Sequence, residues 1–138
     1  EINFIQGDIT HNNDICRNIL KEYTEIIKAH ILGKSISLKK RVLLEPGGYI
    51  INTFNNAIYW SEKKSFEDCI IGAVNHGGDA DTIAGIAGSI AGEKFGYESI
   101  PKRWIEKSDK EVMKKLEEFL EFVSKTYGGS NLDVRGYE

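Results

Sequence analysis

The sequence predicts an all-α protein. Apolar residues recur at three- and four-residue steps in most of the longer segments, which is the spacing of an amphipathic helix. The two prolines, Pro46 and Pro101, both lie between such segments. No internal repeat or low-complexity segment is visible. The 138 residues are enough for one domain with its own hydrophobic core.

The composition excludes several functional classes. Apolar residues make up 41% of the chain and charged residues 28%, with a net charge of −3. This balance is ordinary for a globular protein. No basic stripe indicates a nucleic-acid partner, and no apolar run approaches the length of a membrane span. We therefore expect neither nucleic acid nor membrane as a partner.

The two cysteines predict the compartment. Cys16 and Cys69 lie far apart and outside any CxxC context, so we expect buried thiols, and not a zinc site or a disulfide. A cytoplasmic location follows. The chain begins at Glu1 and not at a methionine, which leads us to expect further sequence upstream.

The first predicted helix covers residues 13 to 32. Polar residues suited to a helix start precede it, and Gly33 follows its end. Its apolar stripe consists of Ile15, Ile19, Tyr23, Ile26, Ile27 and His30. We then expect a linker from residue 34 to a turn at Pro46-Gly47-Gly48.

A second helix is predicted over residues 49 to 63, with Ile50, Phe54 and Ile58 on one side. Its β-branched start leaves a strand possible. A third helix opens on Ser65, whose partner three residues on is Asp68, a carboxylate variant of the capping box. The stripe of this helix is Phe66, Cys69, Ile70, Ala73 and Val74.

The last predicted helix opens on a capping box of Ser108 and Glu111 and ends at Gly128. A turn over "GYESIPKRW" precedes it. Its apolar face consists of Val112, Leu116, Phe119, Leu120 and Val123. Residues 128–138 show no periodicity and are interpreted as a tail, which leaves residues 1–127 as the domain.

Between these helices lies the most informative stretch, "NHGGDADTIAGIAGSIAG", at residues 75–92. Asp79 occupies the expected N-cap of a helix, and Asp81 and Thr82 fall in its first turn. Capping explains either acid taken singly. Together they place two carboxylates and a hydroxyl within one turn, a set suited to Mg²⁺ or Mn²⁺. The glycines before them would let another group approach the backbone closely.

The helix that follows is rich in small residues. Alanines and glycines recur along it at three- and four-residue steps. A glycine inside a helix costs roughly 1 kcal/mol relative to alanine, so Gly85, Gly88 and Gly92 are unfavourable unless another helix packs very closely. We therefore expect a buried central helix whose N-terminus presents its oxygens to a crevice.

Three stretches resemble the ADP-ribosylglycohydrolase family. The family's C-terminal metal motif is matched by "AVNHGGDADTIAGIAGSIAGEKFGYESIPKRW". Its Thr-His segment is matched by "GDITHNNDICRNILKEYTEIIKAHILG". Its glycine-rich substrate loop is matched by "EPGGYIINTFNNAIYWSEKKSFEDCIIGAVN". The likeness covers about residues 7 to 124. It implies the all-α orthogonal helical bundle of that family.

The resemblance also implies an activity and a site. The activity is hydrolysis of the bond between ADP-ribose and a protein side chain or small acceptor, with two Mg²⁺ or Mn²⁺ ions. Asp79 and Asp81 would be catalytic, and both would bind metal together with Thr82. The substrate-binding residues would be His11, Gly47, Gly48, Tyr49, His76, Gly77 and Gly78. For His76, orientation of the loop is an equal alternative, and for His11 a structural place at the helix entry.

One departure qualifies this likeness. Members of the family carry an earlier Ser/Thr-Asp-Asp motif, and this chain has no adjacent pair of aspartates. It therefore resembles the C-terminal half of the family domain, truncated at its N-terminus. Activity would then need the missing half, in the same chain or as a separate one. The apolar face that this half would cover leads us to expect self-association of the chain as well. The alternatives are a non-catalytic module that binds ADP-ribose or a protein, and a helical scaffold in which the acids only cap.

Overall fold

A computed structural model describes residues 2–34 and 36–127, and every regular element among them is helical. The all-α prediction is confirmed. The helices are α1 (Ile2–Asp8), α2 (Asp14–Ile31), α3 (Ile50–Ser61), α4 (Phe66–Asn75), α5 (Ala80–Phe95), α6 (Lys102–Ile105) and α7 (Lys110–Tyr127), with a 3₁₀ turn at Tyr97–Ser99. The chain divides after Ser99 into two compact units, of which the first holds α1 to α5.

Helix α5 is the centre of the first unit and contacts α2, α3 and α4. Its core-facing residues Ile83, Ala87, Ile90 and Ala91 are all buried. This confirms the prediction of a buried central helix. The methyl side chains of the two alanines contribute little bulk, which allows the neighbouring helices to pack close to the axis of α5.

The glycines of α5 are only partly explained by this packing. A Cβ at Gly88 would lie 3.0 Å from the Cδ1 atom of Ile70, and one at Gly92 would lie 3.8 Å from Phe66. Both glycines thus face side chains of α4, where we had expected the backbone of another helix. Gly85 has nothing within 4 Å of such an atom, and nothing in the structure explains it.

The segment between α2 and α3, predicted as a linker, contributes to the core. Ile36 and Leu38 pack against a buried cluster formed by Ile26 of α2, Ile58 of α3 and Ile90 of α5, among others. The segment has no helix or strand of its own among its described residues. Its apolar side chains fix its path across α2 and α3.

Polar side chains of α3 bind the same segment just before its glycine turn. Asn56 is fully buried; its Nδ2 donates to the carbonyl of Leu44 at 3.1 Å, and its Oδ1 accepts from the Leu44 N–H at 2.8 Å. Asn55 donates to the carbonyl of Val42 at 2.7 Å. The stretch predicted as a helix, with a strand as the alternative, is a helix, and its asparagines supply hydrogen-bond partners to the backbone of the preceding segment.

We expect Asn56→Ala to lower the free energy of unfolding by about 1–3 kcal/mol, because the half-buried N–H and C=O of Leu44 would lose their partner. Asn52→Ala is the matched control, since Asn52 makes one solvent-exposed bond to the carbonyl of Glu45. That change should cost less than about 0.5 kcal/mol. Urea denaturation of both variants measures the difference, and equal losses would contradict the buried role.

Two helix starts follow the predicted capping chemistry. In α2 the Oδ1 of Asn13 accepts from the Cys16 N–H at 2.9 Å. In α4 the Oγ of Ser65 accepts from the Asp68 N–H at 3.0 Å. Each cap satisfies a backbone donor that the helix itself leaves unpaired. Gly33, with φ of 63°, follows the end of α2 as predicted.

The start of α7 differs from its prediction. The Oδ1 of Asp109 accepts from the N–H groups of Glu111 and Val112, at 2.8 and 3.1 Å. Asp109 is therefore the cap, and the assignment of Ser108 was wrong. The Ser108 hydroxyl donates instead to the carbonyl of Trp104 at 3.0 Å. A carboxylate one residue nearer the helix is the stronger acceptor for these N–H groups.

Two short helices, α1 and α6, were not predicted, because seven and four residues are too few to show a period. The predicted turn over residues 96–104 contains the 3₁₀ turn and most of α6. Gly128 and the tail at 128–138 lie outside the described residues. Among the helices that are described, none is both long and apolar enough to cross a membrane.

Candidate functional site

A cavity of about 630 Å³ lies in the first unit, where the α1–α2 connection, the start of α3 and the start of α5 meet. Five residues singled out from the sequence line it: His11, Gly48, Tyr49, Asp79 and Thr82. They come from three segments that are far apart in the sequence. The fold therefore brings half of the predicted site together around one cavity.

The other half of the predicted site does not line this cavity. Gly47, His76, Gly77 and Gly78 belong to the two turns beside it, and Asp81 is exposed in the first turn of α5. Asp79 precedes the first residue of α5 and lines the cavity, whereas Asp81, the second residue of the helix, does not.

The carboxylate of Asp79 is the acidic group of the cavity wall. Asp79 is the N-cap residue of α5, yet its side chain makes no capping bond to the helix backbone. Its Oδ1 accepts instead from the hydroxyl of Thr82 at 2.9 Å. Its Oδ2 would lie 3.7 Å from a Cβ added to Gly48. The simple capping interpretation thus fails for Asp79, whose carboxylate is oriented by Thr82 beside the glycine turn.

The Gly77-Gly78 turn is locked against the Pro46-Gly47-Gly48 turn. Gly77 and Gly78 have φ of 85° and 58°, in the left-handed region. A Cβ at Gly78 would lie 1.7 Å from the carbonyl oxygen of Pro46. The close approach predicted for the two glycines is therefore confirmed at Gly78, where the approaching group is the backbone of the other turn, whereas a Cβ at Gly77 would meet nothing within 4 Å.

Sequence analysis missed further polar residues of the cavity. Thr53 lines it, and its Oγ1 donates to the carbonyl of Gly47 at 2.8 Å. Thr10 also lines it, with its Oγ1 2.9 Å from the Nδ1 of His11. A threonine one turn into the helix that follows a glycine loop is the signal that could have identified Thr53.

The remaining wall is largely apolar. It includes Ile15 and Leu20 of α2, Ile50 of α3 and Ile86 of α5. Large apolar walls with a few converging polar groups are typical of pockets for small organic ligands, and the volume falls in their usual range.

An ion pair fixes α1 at the rim. Arg17 donates from Nε and Nη2 to the two carboxylate oxygens of Asp8, both at 2.8 Å. Gly7, the neighbour of Asp8, lines the cavity. The hydrogen bonds from Arg17 lower the pKa of Asp8 below its ordinary value. The pair therefore ties the last turn of α1 to α2.

We expect this tie to weaken in acid. Since the pKa of Asp8 is lowered in the folded state, the ion pair makes its full contribution to the free energy of unfolding above the ordinary carboxyl pKa. It is lost as the pH falls through the lowered value. In Arg17→Gln the pKa of Asp8 should return toward its ordinary value. Titration of the carboxyl carbon by NMR measures this, and an unchanged pKa in the variant would contradict the assignment.

The chemistry of the oxygens near α5 fits a divalent cation in part. Two carboxylates and a hydroxyl are hard donors of the kind that Mg²⁺ and Mn²⁺ prefer. Among the residues that the structure describes, no group of three or more His, Cys, Asp or Glu side chains is placed to hold a metal. Asp79, Asp81 and Thr82 therefore fit a fraction of a coordination sphere.

Comparison with known proteins identifies relatives. A family model described as ADP-ribosylglycohydrolase matches residues 5–131. ADP-ribosyl-[dinitrogen reductase] glycohydrolase of Rhodospirillum rubrum is 36% identical over 73 residues, which are 52% of this chain and 25% of that protein. ADP-ribosylarginine hydrolase Tri1 of Serratia proteamaculans is 42% identical over 71 residues, 50% of this chain and 19% of the relative.

An animal protein is also similar. ADP-ribosylhydrolase ARH3 of Bos taurus is 38% identical over 61 residues, or 44% of this chain and 14% of that protein. The matched part thus spans a quarter or less of the length of each of these three relatives. No solved structure matches the chain.

Proposed function

This chain belongs to the ADP-ribosylglycohydrolase family, and from that premise we propose that it forms part of a metal-dependent hydrolase. The reaction would cleave the glycosidic bond between ADP-ribose and a protein side chain or small acceptor. The observation that carries the proposal is the carboxylate of Asp79. It makes no cap bond, is oriented by Thr82, and lines a cavity of substrate size.

The metal ligands of this chain would be Asp79, Asp81 and Thr82, with Mg²⁺ or Mn²⁺ as the ion. A bound cation of this kind orients sugar oxygens and lowers the pKa of a coordinated water. The hydroxyl of Thr82 donates to Oδ1 of Asp79, which leaves the remaining lone pairs of that carboxylate for a ligand. The acids Asp79 and Asp81 would be the catalytic pair of this half of the site.

The glycine turn next to Asp79 would receive the ADP-ribose. Gly48 has no side chain beside the Asp79 carboxylate, so the sugar and phosphate oxygens can come close to the backbone. Tyr49 is 56% exposed at the same rim, where its ring offers a flat apolar face. His11 lines the same cavity from the α1–α2 connection. Gly47, Gly77, Gly78 and His76 would shape this site from the turns behind it.

The chain would need further ligands from elsewhere. A Mg²⁺ ion takes about six oxygens, and three side chains cannot complete the spheres of two ions. We propose that the other acids come from sequence outside these 138 residues, in the same or a separate chain, or from a second copy. Exposed apolar side chains such as Ile9, at 78%, are available to contact such a partner.

The substrate class is an ADP-ribosylated protein or a small derivative of ADP-ribose. The names of the relatives point to ADP-ribosylated dinitrogen reductase and ADP-ribosylated arginine as their substrates. A cytoplasmic location agrees with two unpaired cysteines, Cys16 and Cys69, both buried. Burial raises the pKa of the Cys69 thiol to about 11, which keeps it protonated and unreactive.

The proposal is tested by reconstitution. The chain is mixed with the N-terminal half of the Rhodospirillum rubrum relative and supplied with Mn²⁺ and peptides ADP-ribosylated on arginine or serine. We expect release of ADP-ribose from one of them, and loss of turnover on addition of EDTA. Absence of turnover from a mixture that demonstrably forms a complex would count against the hydrolase.

A non-catalytic module that binds ADP-ribose is the second candidate. It is favoured by the small number of metal-ligating side chains among the described residues. Calorimetry with ADP-ribose separates the two functions. Binding that is unchanged by EDTA, without hydrolysis in the reconstituted complex, supports the module, whereas binding that requires Mn²⁺ supports the hydrolase.

A further inference from the structure

The side chain of Trp60 links α3 to the end of α4. A Cβ added to Gly72 would lie 2.1 Å from the Cζ3 atom of Trp60, so the indole ring lies directly against the backbone of α4. From there its Nε1 donates a hydrogen bond to the Nδ1 of His76 at 3.4 Å. The two rings also meet edge to face, with their centroids 5.9 Å apart. Gly72 thus makes room for a contact between two helices at the end of α4.

This hydrogen bond determines the tautomer of the neutral His76 imidazole. An indole N–H can only donate, so Nδ1 of His76 is the acceptor and the ring proton of the neutral side chain lies on Nε2. His76 is the residue that follows the last residue of α4, Asn75. The ring is therefore held in one orientation at the point where the chain leaves the helix.

The turn that follows needs such an anchor. Gly77 and Gly78 separate His76 from Asp79, and glycine loses more conformational entropy on ordering than any other residue. Pro46 packs against Gly78, whereas a Cβ at Gly77 would meet nothing within 4 Å. Packing therefore fixes the second glycine, and the nearest fixed side chain before the first is His76.

We propose that Trp60, acting through His76, is a positioning residue that holds the Gly77-Gly78 turn so that Asp79 faces the cavity. The inference rests on the proposed role of Asp79 as a metal ligand. His76 itself does not line the cavity, so this role differs from contact with substrate. Of the two roles expected for His76, orientation of the loop is the one that these contacts favour.

The first measurement does not involve a metal. Hydrogen exchange of the Ile83 amide, whose N–H donates to the carbonyl of Asp79 at 3.1 Å, is compared in the wild-type chain, His76→Leu and His76→Gln. Leucine removes the acceptor, whereas glutamine offers an oxygen to the indole N–H. We expect exchange to become roughly three- to tenfold faster with leucine, the factor that one hydrogen bond supplies. With glutamine it should stay within about twofold of wild type.

The second measurement is the affinity of the chain for Mn²⁺. His76→Leu and Trp60→Phe should each weaken it by roughly three- to tenfold, and the double variant should lose no more than one of them, because both remove the same bond. Tyr59→Phe is the matched control. Its ring contacts Trp60 edge to face, with the ring centroids 5.1 Å apart. Because the change leaves the indole and its hydrogen bond in place, neither the exchange rate nor the Mn²⁺ affinity should change.

Three results would overturn the positioning role: unchanged exchange in His76→Leu, exchange in His76→Gln as fast as with leucine, or additive losses in the double variant. If Trp60→Phe unfolds the chain, hydrogen exchange in the two His76 variants still tests the positioning role. Failure of the wild-type chain to bind Mn²⁺ would count against the proposed metal site alone, since hydrogen exchange would continue to report on the turn.

Discussion

Gly78→Ala is expected to destabilise the protein by roughly 2–5 kcal/mol, the largest loss that we predict for a single methyl group. The left-handed backbone at Gly78, with φ of 58°, costs any other residue about 1–2 kcal/mol. The added Cβ would also lie 1.7 Å from the carbonyl oxygen of Pro46, and relief of such an overlap costs about another 1–3 kcal/mol. Urea denaturation of the chain measures the sum.

Two neighbouring glycines separate these causes. Gly77→Ala meets the conformational cost alone, because φ is 85° and nothing lies within 4 Å of the new atom, so we expect a loss of about 1–2 kcal/mol. Gly47→Ala meets neither a neighbour nor a left-handed φ and should change stability by less than about 0.5 kcal/mol. Equal losses at positions 77 and 78 would show that contact with Pro46 is unimportant.

Asp79→Asn is expected to abolish most of the affinity for Mn²⁺ while the fold stays intact. The amide lacks the negative charge that a divalent cation requires. Loss of a group that only supports a ligand already costs 10- to 100-fold in affinity, so loss of a ligand should cost at least about 100-fold. The asparagine oxygen can still accept a hydrogen bond from the Thr82 hydroxyl, and the aspartate makes no cap bond that the change could remove. The free energy of unfolding should therefore change by less than about 0.5 kcal/mol.

The control for this change is Asp68→Asn. Asp68 lies in the first turn of α4, near the positive end of that helix dipole, as Asp81 does in α5. Its neutralisation should leave Mn²⁺ affinity unchanged, whereas Asp81→Asn should weaken it if both acids bind the ion. Calorimetry and electron paramagnetic resonance of Mn²⁺ provide the measurement. Wild-type affinity in Asp79→Asn would refute the proposed metal site.

Prediction from the sequence succeeded for features that depend only on residues close together in the chain. The period of α2 and the caps at Asn13 and Ser65 depend on residues within four positions of each other, and their structures agree. It failed at the start of α7, where Ser108 was predicted as the cap and the adjacent Asp109 caps the helix instead, because the geometry of the turn places the Asp109 carboxylate at the helix N–H groups.

The sequence by itself determined the five longer helices, the central place of α5 and the presence of oxygen donors at its start. These follow from periodicity, small side chains and helix ends, which are local properties. The tertiary structure alone decided which donors face a common cavity: Asp79 and Thr82 line it and Asp81 does not. It also decided that Pro46 fills the space left by Gly78, and that Trp60 reaches His76 across Gly72. The physical reason is that these contacts join residues up to 32 positions apart, and their distances depend on how helices pack, which no local pattern encodes.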